Sequence, residues 1–164
     1  MILRRVALPA GGLWLSAMPG RREPLTDFLR VTAEVRIGHV LCLTGRKEIA
    51  EKSPDYAALL EAGGLPWQWH SHPIEDFGVP QDAEAFSAWV GEMAALLHAR
   101  EHLVLHCGAG IGRTGMTAIR LLRALGVENA AHRVEQAGSR PETAEQLAFS
   151  AAGCASARAG SARP

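Results

Sequence analysis

The ten residues His106-Cys107-Gly108-Ala109-Gly110-Ile111-Gly112-Arg113-Thr114-Gly115 constrain this chain more than any other stretch. Just before them, Leu103-Val104-Leu105 reads as a short buried strand. Just after them, Met116 to Gly126 reads as a helix with Ile119, Leu122 and Leu125 on one face. The stretch is therefore a glycine-bearing loop between a strand and a helix N-terminus. That geometry aims backbone N–H groups and the positive end of the helix dipole at one spot, where an anion belongs. The loop also carries a thiol near its start and a guanidinium six residues later. Amides and a guanidinium facing a thiol favour its thiolate form, which is the nucleophile. Arg113 offers two parallel N–H donors to two oxygens of a tetrahedral anion. Glycines at 108, 110 and 112 let the backbone of Gly108 to Gly112 close round it.

Nucleophile, anion cradle and bidentate clamp in one loop describe phosphoryl transfer to cysteine. The stretch from His106 to Gly115 resembles the His-Cys-x5-Arg-Ser/Thr signature of cysteine-dependent protein tyrosine and dual-specificity phosphatases, in their small bacterial-type form. The resemblance implies a phosphocysteine intermediate on Cys107, with Gly108, Ala109, Gly110, Ile111, Gly112 and Arg113 holding the phosphate. It also implies that His106 bonds to the loop backbone and that Thr114 donates to the thiolate and assists hydrolysis of the intermediate. No cofactor and no metal are expected.

The rest of the chain supplies context. Its 164 residues suit one domain with a substantial core, placed at residues 1–152, followed by a small, polar, basic tail at 153–164 that reads as disordered. Seventeen basic residues balance seventeen acidic ones, so charge gives no support for a nucleic-acid or membrane partner. Three cysteines, at 42, 107 and 154, are too few and scattered for a disulfide framework, which favours a reducing, cytoplasmic setting. Arg4-Arg5 and the apolar run after it have some likeness to an export signal. Pro9-Ala10-Gly11-Gly12 interrupts that run and reads better as a turn between strands at roughly 2–8 and 13–17. The run Leu13 to Gly20 also resembles the second strand of small dual-specificity-type phosphatases.

Further elements alternate. Pro24 to Val31 reads as a helix, and His39 to Thr44 as a central buried strand. Gly45-Arg46-Lys47-Glu48 reads as a loop at that strand's ligand-facing end, and Pro54 to Ala62 as a helix. Trp67 to His70 reads as an edge strand, and Gln81 to Arg100 as a long helix. Val127 to Ala137 reads as a helix, and Ser139 with Glu142 as the capping box of a last one ending near Ala152. Strands alternating with helices predict an α/β fold, a mostly parallel twisted sheet flanked by helices.

Cleaving a phosphate monoester needs a proton for the leaving oxygen. Asp76, thirty-one residues before Cys107, lies on the proline-bracketed loop His72 to Pro80. That loop resembles the acid-bearing loop of small bacterial phosphatases and their cyclin-kinase-associated relatives. Glu75 and Asp82 are the rival acids, with Asp82 better suited to capping the helix it precedes. Arg46 and Lys47 are candidates to attract anionic substrates, and His70-Ser71-His72 has a spacing that metals use. By resemblance, Cys42 matches the strand cysteine that resolves an oxidised nucleophile in some branches of the superfamily.

The substrate class is narrowed by what the loop carries. Phosphoinositide-specialised relatives resemble this chain but carry lysines among the positions that Gly108, Ala109 and Ile111 occupy here. The expected substrate is a phosphorylated protein or peptide, carrying phosphotyrosine and also phosphoserine or phosphothreonine, with phosphate or another oxyanion in the loop. Two readings stay open beside it: a non-protein phosphate such as an inositol phosphate or nucleotide, and a catalytically weak phosphate-binding module.

Overall fold

A computed structural model of the chain describes residues 1–152; the expected tail at 153–164 lies outside the described residues. Five strands form one sheet: β1 (Arg4–Val6), β2 (Gly12–Ser16), β3 (His39–Cys42), β4 (Gln68–Ser71) and β5 (His102–His106). Their order across the sheet is β1-β2-β5-β3-β4, with β1 antiparallel to β2 and the other pairs parallel. Seven helices accompany them: α1 (Leu25–Glu34), α2 (Arg46–Lys52), α3 (Pro54–Ala62), α4 (Ala83–His98), α5 (Gly112–Ala124), α6 (Ala130–Gln136) and α7 (Ala144–Ala151). This is the α/β architecture that the alternation of elements predicts.

The side-chain period of two divides the core. Leu13, Leu15, Leu41, Leu103 and Leu105 face Phe86, Val90 and Leu97 of α4 and Met116 and Leu122 of α5. Trp14, Val40, Cys42 and Val104 face Phe28 of α1, Ile49 of α2, and Tyr56 and Leu60 of α3. Both faces are covered, so β2, β3 and β5 read as continuous apolar runs with almost every residue buried. The interrupted run after Arg4-Arg5 supplies β2, buried along its whole length. Among the described residues, no helix is long and apolar enough to cross a membrane.

Three expectations change. Gly45 to Glu48 is not a loop: Gly45 is the N-cap of α2, whose short run buries only Ile49 and so shows little periodicity. The last helix begins later than the Ser139–Glu142 pattern implies. Its cap is Thr143, whose hydroxyl accepts from the Gln146 amide at 3.0 Å, and Ser139 donates instead to the Gly110 carbonyl at 2.7 Å. The helix expected from Val127 starts at Ala130, after Asn129 turns the chain in a left-handed conformation.

Candidate active site

Parallel β2, β5 and β3 end on the same edge of the sheet, with Ser16, His106 and Cys42 in register. The loop from Cys107 to Ile111 leaves that edge and enters α5 at Gly112. Its carbonyls are drawn outward onto the scaffold. Met18 N donates to Gly108 O at 3.1 Å, and Arg140 N to Ile111 O at 3.2 Å. Arg4 Nη2 and Ser139 Oγ donate to Gly110 O at 2.6 and 2.7 Å. Gly110 has φ +75°, and a Cβ there would run into the Ser16–Ala17 backbone, so only glycine fits. With the carbonyls turned out, the amides turn in. Gly110 N donates to Cys107 Sγ at 3.2 Å. Among the described residues the N–H groups of Ala109 and Ile111 have no acceptor. This is an anion cradle around a buried sulfur.

Arg113, on the first turn of α5, lies almost wholly buried, with 2% of its side chain exposed. Glu48 of α2 grips its terminal edge with both oxygens, Nη1 to Oε2 at 2.8 Å and Nη2 to Oε1 at 2.9 Å. Nη1 also donates to Ile74 O at 3.0 Å. The Nε N–H on the other edge has no partner among the described residues. Burial opposes the Arg113 charge. Glu48, with Cys107 and Asp76 behind it, outweighs burial and raises the Arg113 pKa. In return the Arg113 hydrogen bonds, helped by Lys52 and working against burial, lower Glu48 to about 2. Lys52 Nζ stands 2.7 Å from Glu48 Oε1.

Asp76 comes to the same guanidinium, Oδ1 at 3.1 Å from Nη2, and its side chain stays half exposed. The rivals do not. Asp82 is the N-cap of α4, accepting from Ala85 N at 2.9 Å. Glu75 is exposed and has no ion pair or side-chain hydrogen bond among the described residues. The residue after Asp76 is Phe77, exposed and held at φ +60°, with its N–H donating to Asp76 Oδ1 at 3.1 Å. Gln146, fully buried, ties this loop down: Nε2 donates to Gly78 O at 3.0 Å, while Oε1 accepts from Glu142 N at 2.9 Å. A cavity of about 710 Å³ opens beside Asp76, lined by Lys47, Glu48, His72 and Glu75.

Under the loop runs a directed chain of hydrogen bonds. Trp69 Nε1–H donates to Tyr56 Oη at 3.0 Å, and Tyr56 Oη lies 3.1 Å from His106 Nε2. His106 Nδ1 lies 3.2 Å from Cys107 O. A carbonyl only accepts, so His106 carries its proton on Nδ1, Nε2 accepts, and the Tyr56 hydroxyl donates. Burial lowers His106 to about 4 and lifts Tyr56 well above its ordinary value, so both stay neutral in this chain.

The structure thus brings together Cys107, Gly108 to Gly112, Arg113, His106 and Asp76. Thr114 is fully buried, but its Oγ1 has no partner among the described residues, so the expected donation to the sulfur is not made; Gly110 N makes it. Arg46 turns away and lies 4.6 Å over the Trp69 ring, whereas Lys47 lines the cavity beside Asp76. His70 Nε2 bonds to His39 Nδ1 at 3.0 Å, and His72 packs edge-on against Phe86 and tilted against Trp89. Among the described residues no three His, Cys, Asp or Glu side chains are grouped to hold a metal ion. Cys42 and Cys107 are both free thiols, and Cys42 Sγ lies 3.2 Å from Thr44 Oγ1. Glu48, Tyr56 and Gln146 are participants that sequence reasoning missed. The only signal for Glu48 was a carboxylate just past the ligand-facing end of β3.

Comparison with known proteins agrees with this geometry. No curated protein sequence matches the chain. Among solved structures, a kinase-associated phosphatase with serine in place of its catalytic cysteine superposes with a TM-score of 0.74, at 20% identity over 90% of both chains. The human tyrosine phosphatase-like serine/threonine/tyrosine-interacting protein gives 0.66, at 18% identity over 90% of this chain and 92% of that one. TpbA of P. aeruginosa gives 0.58, at 17% identity over 86% and 80%. At these identities the likeness is one of fold. The family model described as "Tc-R-P: Polymorphic toxin system, DSP-PTPase phosphatase" matches residues 16–125. That span is more than half of the chain and contains the cysteine loop, the Asp76 loop and Glu48. The chain belongs to this family of dual-specificity and tyrosine phosphatases.

Proposed function

We propose that the chain hydrolyses phosphate monoesters of proteins, phosphotyrosine and also phosphoserine or phosphothreonine, through a phosphocysteine intermediate. The observation that carries this reading is the division of labour on Arg113. One edge of the guanidinium is fixed by Glu48; on the other edge the Nε N–H has no partner among the described residues, and Nη2 meets only the half-exposed carboxylate of Asp76, which an entering phosphoryl group displaces. Two oxygens of a phosphoryl group fit that edge, and the loop amides take the third.

The Cys107 thiolate attacks phosphorus and the ester oxygen departs with the proton of Asp76. Water then attacks the phosphocysteine while Asp76 takes a proton back, returning thiolate and inorganic phosphate. Arg113 and the amides balance the phosphoryl charge throughout, so no divalent ion is required and EDTA leaves the rate unchanged. Thr114 assists hydrolysis of the intermediate, its hydroxyl having no other partner among the described residues. A reducing, cytoplasmic setting keeps the nucleophile as a free thiol.

The test is Cys107→Ser. Turnover of p-nitrophenyl phosphate disappears while phosphate or vanadate binding persists, because the amides and Arg113 remain. Arg113→Ala loses both. Hydrolysis by Cys107→Ser near the wild-type rate refutes the phosphocysteine route. A purely binding role is the second reading, since a phosphatase-like interacting protein shares this fold. It predicts phosphate binding without turnover in the wild type. A non-protein substrate predicts that inositol phosphates or nucleotides outrun every phosphopeptide.

A further inference from the structure

A second cavity, of about 490 Å³, shares no lining residue with the Asp76 cavity. Ala109 and Ile111 of the loop form one wall, and Ile2, Arg4, Arg22 and Glu23 line the others. Ala109 and Ile111 belong to the loop that folds around the Cys107 sulfur, so this cavity and the anion cradle share a wall.

The cavity is cationic in a way the chain as a whole is not, since the net charge is zero. Arg4 is pinned by two carbonyls, Nη2 to Gly110 O at 2.6 Å and Nη1 to Ala137 O at 2.9 Å. Carbonyls fix its position without neutralising it. Burial lowers the Arg4 pKa, the charge of Cys107 raises it, and Arg22 lowers it again, so the two guanidiniums feel each other. Arg21 is not part of this lining; its Nη1 lies 3.2 Å from where a Gly108 Cβ would stand, on the side of Glu48 and Arg113. Among the described residues none of Arg4, Arg21 and Arg22 has an ion-pair partner, and the Arg21 and Arg22 side chains have no hydrogen bond. Arg4 and Arg22 outnumber Glu23 on this lining, with Arg22 already acting on the Glu23 charge, so the half-enclosed space keeps a cationic excess that an entering anion relieves.

We propose that this cavity is a second anion subsite, which receives a carboxylate side chain flanking the phosphorylated residue of a protein substrate. The inference rests on the phosphoprotein reading of the Cys107 loop and names its substrate class. Two features select a carboxylate over a second phosphate. Glu23 on the same wall repels a dianion more than a monoanion. Ile2, Ala17 and Ile111 give the lining an apolar share that suits the stem of Glu or Asp and the neighbouring peptide. Arg4 supplies the fixed donor and Arg22 the adjustable one.

The experiment compares two phosphotyrosine peptides of equal length, flanked on both sides by Glu in one and by Gln in the other. The wild type is expected to favour the Glu peptide by about tenfold in kcat/KM, through KM, with the preference shrinking as salt is added. Arg22→Ala collapses the ratio, and Arg22→Glu inverts it. Equal use of both peptides by the wild type overturns the proposal, and so does an undiminished ratio in Arg22→Ala. Stronger competition by an inositol bisphosphate than by the Glu peptide overturns the choice of carboxylate. Absence of p-nitrophenyl phosphate turnover is a failure of the phosphatase reading instead. The subsite is then read from the dissociation constants of the same two peptides on Cys107→Ser, with and without Arg22→Ala.

Discussion

Glu48 and Arg113 meet edge to edge, carboxylate oxygens at 2.8 and 2.9 Å from the two terminal guanidinium nitrogens, across sixty-five residues of sequence. The pair decides which way the guanidinium points. Without Glu48, Nη2 is free to swing toward Asp76, already 3.1 Å away. Glu48→Ala is expected to lower kcat/KM for p-nitrophenyl phosphate by about 10–100-fold, since small misplacements of a clamp are costly. Vanadate affinity falls in parallel. With its pKa at about 2, Glu48 stabilises the fold above the ordinary carboxylate range, and the contribution is lost as pH falls through about 2. Acid-unfolding curves of wild type and Glu48→Gln therefore differ at neutral pH and converge near pH 2.

Asp76→Asn is expected to lower kcat by about 10²–10⁴ for poor leaving groups and far less for an acidic phenol, with the basic arm of the pH–rate profile flattened. Glu75→Gln should leave the profile intact. The opposite pattern in the two variants shifts the acid by one residue.

Gln146 holds the Asp76 loop by Gly78 O and the start of α7 by Glu142 N. Gln146→Ala is expected to lower kcat several-fold for poor leaving groups while KM stays put, because it loosens the Asp76 loop and leaves the cradle alone. An equal loss for an acidic phenol would show that the cradle itself has moved.

His106 gives the stability a pH dependence of its own. Folded, it titrates at about 4, against about 6.5 when unfolded. The unfolded chain therefore takes up the proton first, and stability falls as pH drops from about 6.5 to about 4. His70 and His72, also lowered by burial, act with the same sign. Denaturant titrations of wild type and His106→Asn isolate the His106 share, expected as one proton's slope in that window. Tyr56→Phe strands the buried His106 Nε2 and takes the acceptor from the half-buried Trp69 Nε1, a cost of about 1–3 kcal/mol in the same titration.

We propose that Cys42 rescues an oxidised nucleophile. Peroxide converts the Cys107 thiolate to a sulfenic acid, and the Cys42 thiol displaces water from it to form the disulfide. Cys42 is in register with His106, one residue before Cys107. Strand spacing and rise put the two Cα atoms about 6 Å apart, within disulfide reach. The thiols belong to opposite core clusters, so one side chain must rotate. Peroxide inactivation is expected to be reversed by dithiothreitol in wild type and to be irreversible in Cys42→Ser. Absence of a linked 42–107 peptide in mass mapping leaves Cys42 as packing.

Where the sequence was legible, the signal was local. The cysteine loop, the cap at Asp82 and the buried run His39 to Cys42 each follow from neighbours a few residues apart. The glycine at 110 needs Ser16, and the clamp at Arg113 needs Glu48, and both contacts are made only when distant strands close side by side. Ser139 shows the same limit from the other side. Its pattern fits a helix cap, yet a carbonyl of the cysteine loop claims the hydroxyl. Tyr56 lies in a short helix, and nothing near it in sequence announces the histidine fifty residues on.

The Trp69–Tyr56–His106 chain has an optical consequence. Four tryptophans emit in this protein, but Trp69 alone passes its indole N–H into the hydrogen bonds that end at the Cys107 carbonyl, and Arg46 lies over its ring. Excited indoles respond to charge above the ring and to hydrogen bonding at the nitrogen. A change at Cys107 that moves this carbonyl is expected to alter the emission of a native fluorophore three hydrogen-bond links away, and Trp69 offers a dye-free read-out of the loop in stopped-flow work.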